Sequence, residues 1–487
     1  MTRSRKEAKL TMPLLPKSLT GIQGLDEVTF GGLPMGRTTL VCGGPGCGKT
    51  VFAMEFICRG VIEYNEPGVF ITFEEKEQDL EDNFASLGFD LKALVKQKKL
   101  VIDYVFIERS EIEETGEYDL EGLFVRLTAA IDAIGAKRVV LDTIEALFAG
   151  FANVAILRAE LRRLFRWLKD KGVTAIITGE KGDALLTRHG LEEYVADCVI
   201  VLDNRVSDQI ATRRLKIVKY RGSRHGTNEF PFLIGEAGIS VFPMTSLLLG
   251  SAVSSERVSS GIASLDAMLG DQGYYRGSAV LISGSAGSGK TSIGAQFVDA
   301  ACRSGSRALY FAFEESEGQI CRNMKSIGID LKKWVNKGLL RVMANRATLW
   351  GLEMHLVMAH KVVKEFGPSC VVIDPITTLI GGGTLAEPKA MMARLLDFLK
   401  NEGITVLVTD LTFNEKGIAT EIGISSLCDT WMNLSMEPQG YKRMRRLSII
   451  KSRGMNHDHE MKDFIITGKG LELKSITGKK EVPHDPI

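Results

Sequence analysis

Short, nearly continuous apolar runs alternate along this chain with longer segments of mixed polarity. Thr38–Cys42, Val69–Phe73 and Arg138–Asp142 are such runs, and they predict strands that are buried on both faces. In residues 154–168 the apolar positions recur every three or four residues, which predicts an amphipathic helix. Strands that alternate with helices in this way are typical of a mostly parallel sheet with helices on both faces.

The same succession of elements occurs twice along the 487 residues. Gly21–Asp26 returns as Gly261–Asp266, 240 positions later, and the later motifs return at similar offsets. A solenoid repeat is only about 20–50 residues long, so this offset indicates duplication of a whole domain. We therefore predict two tandem α/β domains, residues 1–246 and residues 247–487, each long enough to form its own core.

A glycine-rich loop follows an early strand of each repeat and precedes a helix. Both loops match G-x-x-x-x-G-K-[ST], the Walker A pattern of P-loop NTPases. They consist of Gly43, Gly44, Pro45, Gly46, Cys47, Gly48, Lys49 and Thr50, and of Gly284, Ser285, Ala286, Gly287, Ser288, Gly289, Lys290 and Thr291. In such loops backbone N–H groups cradle the phosphates, the lysine reaches the β- and γ-phosphates, and the threonine hydroxyl holds Mg²⁺. The sequence therefore predicts two sites for ATP and Mg²⁺.

An aspartate ends a later apolar strand in each repeat, Asp142 in the first and Asp374 in the second. A carboxylate at this point is the Walker B arrangement, which supports the Mg²⁺ ion. We therefore predict that Thr50 and Asp142 hold Mg²⁺ in one site, and that Thr291 and Asp374 hold it in the other.

A pair of glutamates follows another strand in each repeat, Glu74-Glu75 and Glu314-Glu315. A carboxylate at a strand end beside the phosphate loop can orient or deprotonate an attacking hydroxyl. We predict that Glu74 and Glu314 carry this catalytic role and that Glu75 and Glu315 support them. The alternative is that Glu75 and Glu315 only begin a helix, where acids suit the helix dipole.

A lysine and an arginine, separated by one residue, close a late strand-like segment of each repeat, as Lys219-x-Arg221 and Lys451-x-Arg453. One interpretation is a solvated strand end. The recurrence of the pair in both repeats favours cations that reach the γ-phosphate of a neighbouring subunit, because an arginine supplied in trans stabilises phosphoryl transfer.

Composition narrows the class of protein. The 61 basic and 60 acidic residues give a net charge of +1, which argues against a nucleic-acid-binding surface. No run approaches the roughly 18 apolar residues that span a bilayer, so we expect no membrane association. The 8 cysteines are scattered without a C-x-x-C motif. This usage predicts a reduced, cytoplasmic protein.

These motifs together resemble the KaiC family of double-domain, RecA-like ATPases of the cyanobacterial circadian clock. The resemblance rests on Gly68–Glu75, the paired Walker loops and the two Lys-x-Arg-Gly segments, and it extends from Leu19 to about Leu473. It implies a homohexamer of two stacked rings with ATP between subunits. It also implies an N-terminal ring that hydrolyses ATP and binds a KaiB-like partner, and a C-terminal ring that phosphorylates itself and reverses that reaction. The expected role is circadian or timer-type signalling.

The resemblance also identifies acceptor residues in the second repeat. KaiC carries adjacent serine and threonine acceptors, and here Ser425 matches the serine while Ser426 replaces the threonine. The first repeat has Glu192–Asp197 at this place, without a hydroxyl pair, which supports acceptors in the second ring alone. Without the resemblance, the two serines would be interpreted as a polar turn. KaiC continues into a longer tail that binds the KaiA activator, whereas this chain stops at Ile487, which argues against regulation by KaiA.

Two other functions are compatible with tandem P-loop domains. A RecA-class recombinase or helicase needs basic or aromatic loops to hold DNA, and the segments 149–153 and 381–387 after the Walker B strands are not basic. A nucleotide-dependent signalling scaffold would bind ATP without phosphorylating its own serines. Labelled phosphate on the protein would distinguish the autokinase from both alternatives.

Overall fold

The chain divides into two compact units in a computed structural model, Met1–Thr245 and Ser246–Ile487. The structure describes residues 15–105, 120–148, 154–182, 195–207, 210–243, 254–347, 351–379, 386–412, 423–439 and 441–476. The boundary expected between residues 246 and 247 falls outside these ranges, so it stays a prediction.

The first unit is built from a central sheet and surrounding helices. Its strands are β1 Lys17–Ser18, β2 Leu33–Pro34, β3 Thr38–Gly43, β4 Gly68–Thr72, β5 Leu100–Tyr104, β6 Arg138–Asp142, β7 Thr174–Glu180, β8 Cys198–Ser207, β9 Ile210–Tyr220, β10 Glu229–Gly235 and β11 Gly238–Val241. Its helices are α1 Leu25–Val28, α2 Lys49–Tyr64, α3 Glu77–Ala85, α4 Leu91–Lys96, α5 Glu121–Ile134, α6 Glu145–Phe148 and α7 Val154–Asp170.

The second unit repeats this plan. Its strands are β12 Arg257–Val258, β13 Tyr274–Tyr275, β14 Ala279–Gly284, β15 Ala308–Ala312, β16 Leu340–Ala344, β17 Cys370–Asp374, β18 Thr405–Leu411, β19 Thr430–Gln439, β20 Lys442–Ser452, β21 Lys462–Thr467 and β22 Gly470–Ser475. Its α-helices are α8 Ala263–Met268, α9 Lys290–Arg303, α10 Glu317–Lys325, α11 Lys332–Asn336, α12 Leu352–Phe366 and α13 Ala386–Asn401. Two short 3₁₀ helices are Ile376–Leu379 and Ile424–Ser426.

Strand order is the same in the two main sheets. The first runs β5-β4-β6-β7-β3-β8-β9-β10-β11 and the second runs β16-β15-β17-β18-β14-β19-β20-β21-β22. The strands from β5 to β8, and from β16 to β19, pair in parallel, whereas the remaining strands pair antiparallel. The strand before each glycine-rich loop therefore lies in the middle of its sheet, which places the loop at the centre of the sheet's carboxyl edge.

Apolar side chains cover both faces of the parallel strands. In the first unit, Val41 and Phe70 pack in one core with Phe52 of α2, whereas Leu40 and Leu141 face a second core against α5 and α7. This two-sided burial is the reason that the strands read as continuous apolar runs. The predicted class, tandem RecA-like α/β domains with mostly parallel sheets, is confirmed.

Individual strand ends differ slightly from the sequence pattern. The strand predicted for Thr38–Cys42 extends to Gly43, because Gly43 continues the parallel register opposite Glu180 and Leu202. All 8 cysteines are buried and free of disulfides. Among the helices that the structure describes, none has both the length and the apolar character needed to cross a membrane.

Candidate functional site

Each glycine-rich loop leaves the carboxyl end of a central strand and leads into a helix. The first joins β3 to α2, and the second joins β14 to α9. The Lys49 ammonium donates to the carbonyls of Gly43 and Gly44, at 2.9 and 3.1 Å. Lys290 donates to the two equivalent carbonyls, both at 2.8 Å. Both lysines therefore lie against their own loop, at the N-terminus of a helix that favours anions.

Glycine is needed in the loops because the backbone turns through the left-handed region. Gly48 and Gly289 have φ of 103° and 104°, and Gly46 and Gly287 have φ of 69° and 74°. Cys47 is buried, and burial raises the pKa of its thiol, which favours the neutral form. Ser288 is buried in the equivalent place. The exposed loop residues are Pro45, Gly46, Ser285, Ala286 and Gly287.

Asp142 ends β6 beside the first loop. It is only 5% exposed, and burial raises the pKa of its carboxyl group, with smaller contributions from Glu74 and Glu75. The hydroxyls of Thr178 and Thr50 hydrogen-bond to this carboxyl group and lower its pKa. The structure therefore brings Thr50 and Asp142 together, as the sequence predicts.

Asp374 ends β17 at the equivalent place in the second unit. The Thr409 hydroxyl donates to its Oδ1 atom, as Thr178 does to Asp142. The Tyr310 hydroxyl donates to its Oδ2 atom at 2.6 Å. Thr291, the second residue of α9 and the last of the Walker A motif, is half-buried.

The first glutamate of each pair is exposed and the second is half-buried. The Thr143 hydroxyl donates to Glu74 Oε1 at 2.9 Å, whereas Pro375 takes the place of Thr143 in the second unit. Although the Glu314 side chain is largely exposed, partial desolvation of its carboxyl group raises the pKa of Glu314, and Asp374 adds to this effect. The first glutamates of the two pairs therefore lie in different surroundings.

The second glutamates share one type of contact. The amide of Asn83 donates to Glu75 at 3.2 Å, and the amide of Asn323 donates to Glu315 at 3.1 Å. Each contact ties the glutamate to the helix that follows it, α3 or α10. Both glutamates are thus fixed to a helix whose first turn carries acidic residues.

The paired cations lie at the other end of each sheet. Lys219 is opposite Val199, close to the start of β8, and Lys451 is opposite Trp431, close to the start of β19. The backbone N–H of Arg221 and that of Arg453 each donate to the carbonyl of an aspartate just before these strands. The cations are therefore remote from the phosphate loop of their own unit.

The two serines lie beside the second pair of cations. The Lys451 ammonium donates to the Ser425 carbonyl at 2.6 Å, and the Arg453 guanidinium donates to the Ser426 carbonyl at 3.0 Å. Ser425 is half-buried and Ser426 is exposed. Burial and the neighbouring Arg453 lower the pKa of Lys451. The sequence did not predict this contact, because the partners lie 26 and 27 positions apart.

In both sites the side chains that could bind a metal ion offer oxygen atoms. Asp142 and Thr50 offer a carboxylate and a hydroxyl that already lie within hydrogen-bond reach, and Asp374 offers a carboxylate beside the loop that carries Thr291. Oxygen donors of this kind are the ligands that Mg²⁺ prefers. The residues therefore fit a magnesium ion bound with the phosphates of a nucleotide.

Comparison with known proteins shows the family. The family described as "ATPase: KaiC" matches residues 18–246 and again residues 258–478. Circadian clock protein KaiC2 of Synechocystis is 55% identical over 462 residues, which cover 94% of this chain and 81% of the relative. Circadian clock oscillator protein KaiC of Parathermosynechococcus lividus is 37% identical over 464 residues, covering 94% and 86%. The same protein of Parasynechococcus marenigrum is 37% identical over 483 residues, covering 97% and 94%. The chain therefore belongs to the KaiC family of ATPases.

Proposed function

We propose that this chain is a cytoplasmic, hexameric ATPase and serine autokinase of the circadian-clock or timer type. Both units bind Mg²⁺·ATP through their glycine-rich loops, with Thr50 and Asp142, and Thr291 and Asp374, on the metal side. The first unit hydrolyses ATP and binds a KaiB-like partner. The second unit transfers phosphate to its serines and reverses the transfer. The names of the KaiC relatives support the clock role.

Hydrolysis in the first unit needs a residue that directs water toward the γ-phosphate. Glu74 suits this task, since it follows a strand at the loop's edge of the sheet and Thr143 holds one of its oxygens. Glu75, tied to α3 through Asn83, supports its neighbour. When bound, Mg²⁺ neutralises charge that develops on the phosphates.

The position of the serines carries the proposal for the second unit. Ser425 and Ser426 precede β19, and the backbone N–H of Asp429 donates to the carbonyl of Ala279 at the start of β14. Their own loop begins where the 6 residues of β14 end, about 17 Å away at ~3.3 Å per residue. Reacting atoms must approach to about 3–3.5 Å. The serines therefore receive phosphate from ATP held by a neighbouring subunit.

The same argument from distance assigns the two pairs of cations to the nucleotide of a neighbouring subunit. Lys219 and Arg221, like Lys451 and Arg453, lie far from their own loop, so they contact the γ-phosphate of a neighbour. In the second unit the serine hydroxyl attacks that γ-phosphorus, the bond to the β-phosphate oxygen breaks, and ADP leaves. Glu314 accepts the hydroxyl proton, and Glu315, tied to α10 through Asn323, supports it.

Incubation of the full chain with γ-labelled ATP, followed by mapping of the label by mass spectrometry, tests this function. We expect label on Ser425 and Ser426. Glu314→Gln should abolish the labelling, because an amide cannot accept the proton. The matched variant Glu74→Gln should keep the labelling and lower bulk ATP hydrolysis.

Each outcome has a distinct meaning. Unchanged labelling in Glu314→Gln would remove the assigned base. ATP hydrolysis without any labelled serine would favour a nucleotide-dependent scaffold. A chain that stays monomeric in saturating nucleotide on gel filtration would contradict transfer between subunits.

A further inference from the structure

The two Walker B aspartates differ in one buried neighbour. Tyr310 is 0% exposed in the middle of β15, and its hydroxyl donates to Asp374 Oδ2 at 2.6 Å. The first unit has Phe70 at this position, since Phe70 is opposite Val140 of β6 as Tyr310 is opposite Val372 of β17. Within the described residues, a tyrosine hydroxyl therefore contacts the aspartate in the second unit and not in the first.

The helix after the loop also differs between the two units. Gly294 of α9 stands where α2 has Ala53, counted from the Walker lysine. A Cβ on Gly294 would lie 3.6 Å from Tyr310 Oη and 3.1 Å from Val372 Cγ1. Glycine inside a helix is less favourable than alanine. The second unit thus has Gly294 and Tyr310 where the first unit has Ala53 and Phe70, and a Cβ on Gly294 would be tight only against Val372.

The contact fixes the Asp374 carboxylate from two sides. Thr409 donates to Oδ1 and Tyr310 donates to Oδ2, so the carboxylate plane has a donor at each oxygen. The carboxylate oxygen can only accept, so the tyrosine hydroxyl is the donor in this buried contact. Each oxygen still has a lone pair to offer, because a carboxylate oxygen accepts two hydrogen bonds.

We propose that Tyr310 is a positioning residue that sets the metal affinity of the second nucleotide site by orienting Asp374. This inference rests on the proposed function, since it requires Mg²⁺ at Asp374. Residues that hydrogen-bond a metal-supporting group typically change metal affinity when they are mutated. The first site, which has Phe70, does not depend on such a hydroxyl.

Metal binding without turnover tests the proposal. Mn²⁺ is titrated into the full chain with a non-hydrolysable ATP analogue, and bound Mn²⁺ is followed by electron paramagnetic resonance. Tyr310→Phe should weaken Mn²⁺ binding about tenfold at one of the two sites of each chain. Affinity for the analogue without metal should not change. The double variant Gly294→Ala/Tyr310→Phe copies the packing of the first unit, so it should fold and show the same loss.

A second buried tyrosine supplies the control. Tyr274 is 0% exposed, and within the described residues its hydroxyl has no hydrogen-bond partner. Tyr274→Phe removes a buried hydroxyl from the same unit and should leave both Mn²⁺ affinities unchanged. Weakened binding in this control would mean that loss of any buried hydroxyl has the effect, which would overturn the proposal.

Failure of the inference and failure of the proposed function give different results. Wild-type affinity at both sites in Tyr310→Phe and in the double variant would overturn the role of Tyr310 alone. Asp374→Asn is the reference, and it should abolish Mn²⁺ binding at one site. If Asp374→Asn kept both sites intact, the assigned metal support itself would be wrong.

Discussion

Mixed rings made from two inactive variants would show whether phosphate passes between subunits. One variant, Glu314→Gln, keeps the acceptor serines and loses the proposed base. The other, Ser425→Ala/Ser426→Ala, keeps the base and loses the acceptors. Neither should label alone. Co-expression and purification through two different tags would yield rings that contain both kinds of subunit.

The expected signal follows from the geometry. The serines lie near the start of β14 and the loop lies at its end, a strand of 6 residues, so about 17 Å separates them within one chain. Transfer within a chain would therefore remain absent in a mixed ring. In a closed ring with head-to-tail contacts, an intact site faces an intact acceptor at about a quarter of the seams of a random equal mixture.

We therefore expect the mixed rings to recover about a quarter of the wild-type labelling, with the label on the Glu314→Gln subunits. Mass spectrometry of the two tagged subunits measures this directly. The control is a mixture of the two variants that were purified separately as assembled rings and are assayed before they exchange subunits. Mixed rings that remain unlabelled, while gel filtration shows intact assemblies, would refute transfer across the seam.

Three further predictions can be tested with single substitutions. Thr143→Val should slow ATP hydrolysis by the first unit about two- to tenfold, because Glu74 is exposed and its hydrogen bond should contribute only the about 0.5–1.5 kcal/mol of an ordinary one. Thr143→Ser keeps the hydroxyl and is the control. If it slowed phosphate release as much as Thr143→Val, the role of this hydroxyl in holding Glu74 would be contradicted. Arg138→Leu should lower the free energy of unfolding by about 3 kcal/mol in urea titrations, since the buried Phe56 carbonyl, the partly buried Leu19 carbonyl and the Glu66 carboxylate lose their donor. Arg37→Leu breaks a partly exposed ion pair with Asp197 and should change the free energy of unfolding by less than about 1 kcal/mol. If the two arginine variants lowered it equally, the greater contribution assigned to Arg138 would be wrong. Because partial desolvation and the neighbouring Asp374 raise the pKa of Glu314, and the base must be unprotonated, serine labelling should fall on acidification at a higher pH than an ordinary glutamate would give. A pH profile of label incorporation that Glu314→Asp leaves unmoved would contradict this assignment.

The parts of the site that lie within one motif could be predicted from sequence. The glycine-rich loops need left-handed backbone at Gly48 and Gly289 and a lysine next to it, and these features are contiguous. The aspartates that end β6 and β17 could also be recognised, because each closes an apolar run. Their roles in binding and catalysis remain predictions for the experiments above.

Contacts between distant segments were not visible in the pattern. Thr143 and Glu74 are 69 positions apart, and Tyr310 and Asp374 are 64 positions apart. Tyr310 reads as one more apolar residue of a buried strand, so no signal marks its hydroxyl. A comparison of the two repeats position by position would have found the exchange of Phe70 for Tyr310, although not its partner.

The sequence by itself determined two α/β units of the same plan, each with a phosphate loop between a central strand and a helix. It could do so because local backbone geometry and the burial of each strand depend on neighbouring residues. Only the tertiary structure decided that Lys451 and Arg453 lie beside Ser425 and Ser426, at the end of the sheet away from the loop. Strand order places β14 between β18 and β19, and this order follows from packing of the whole sheet and not from succession along the chain.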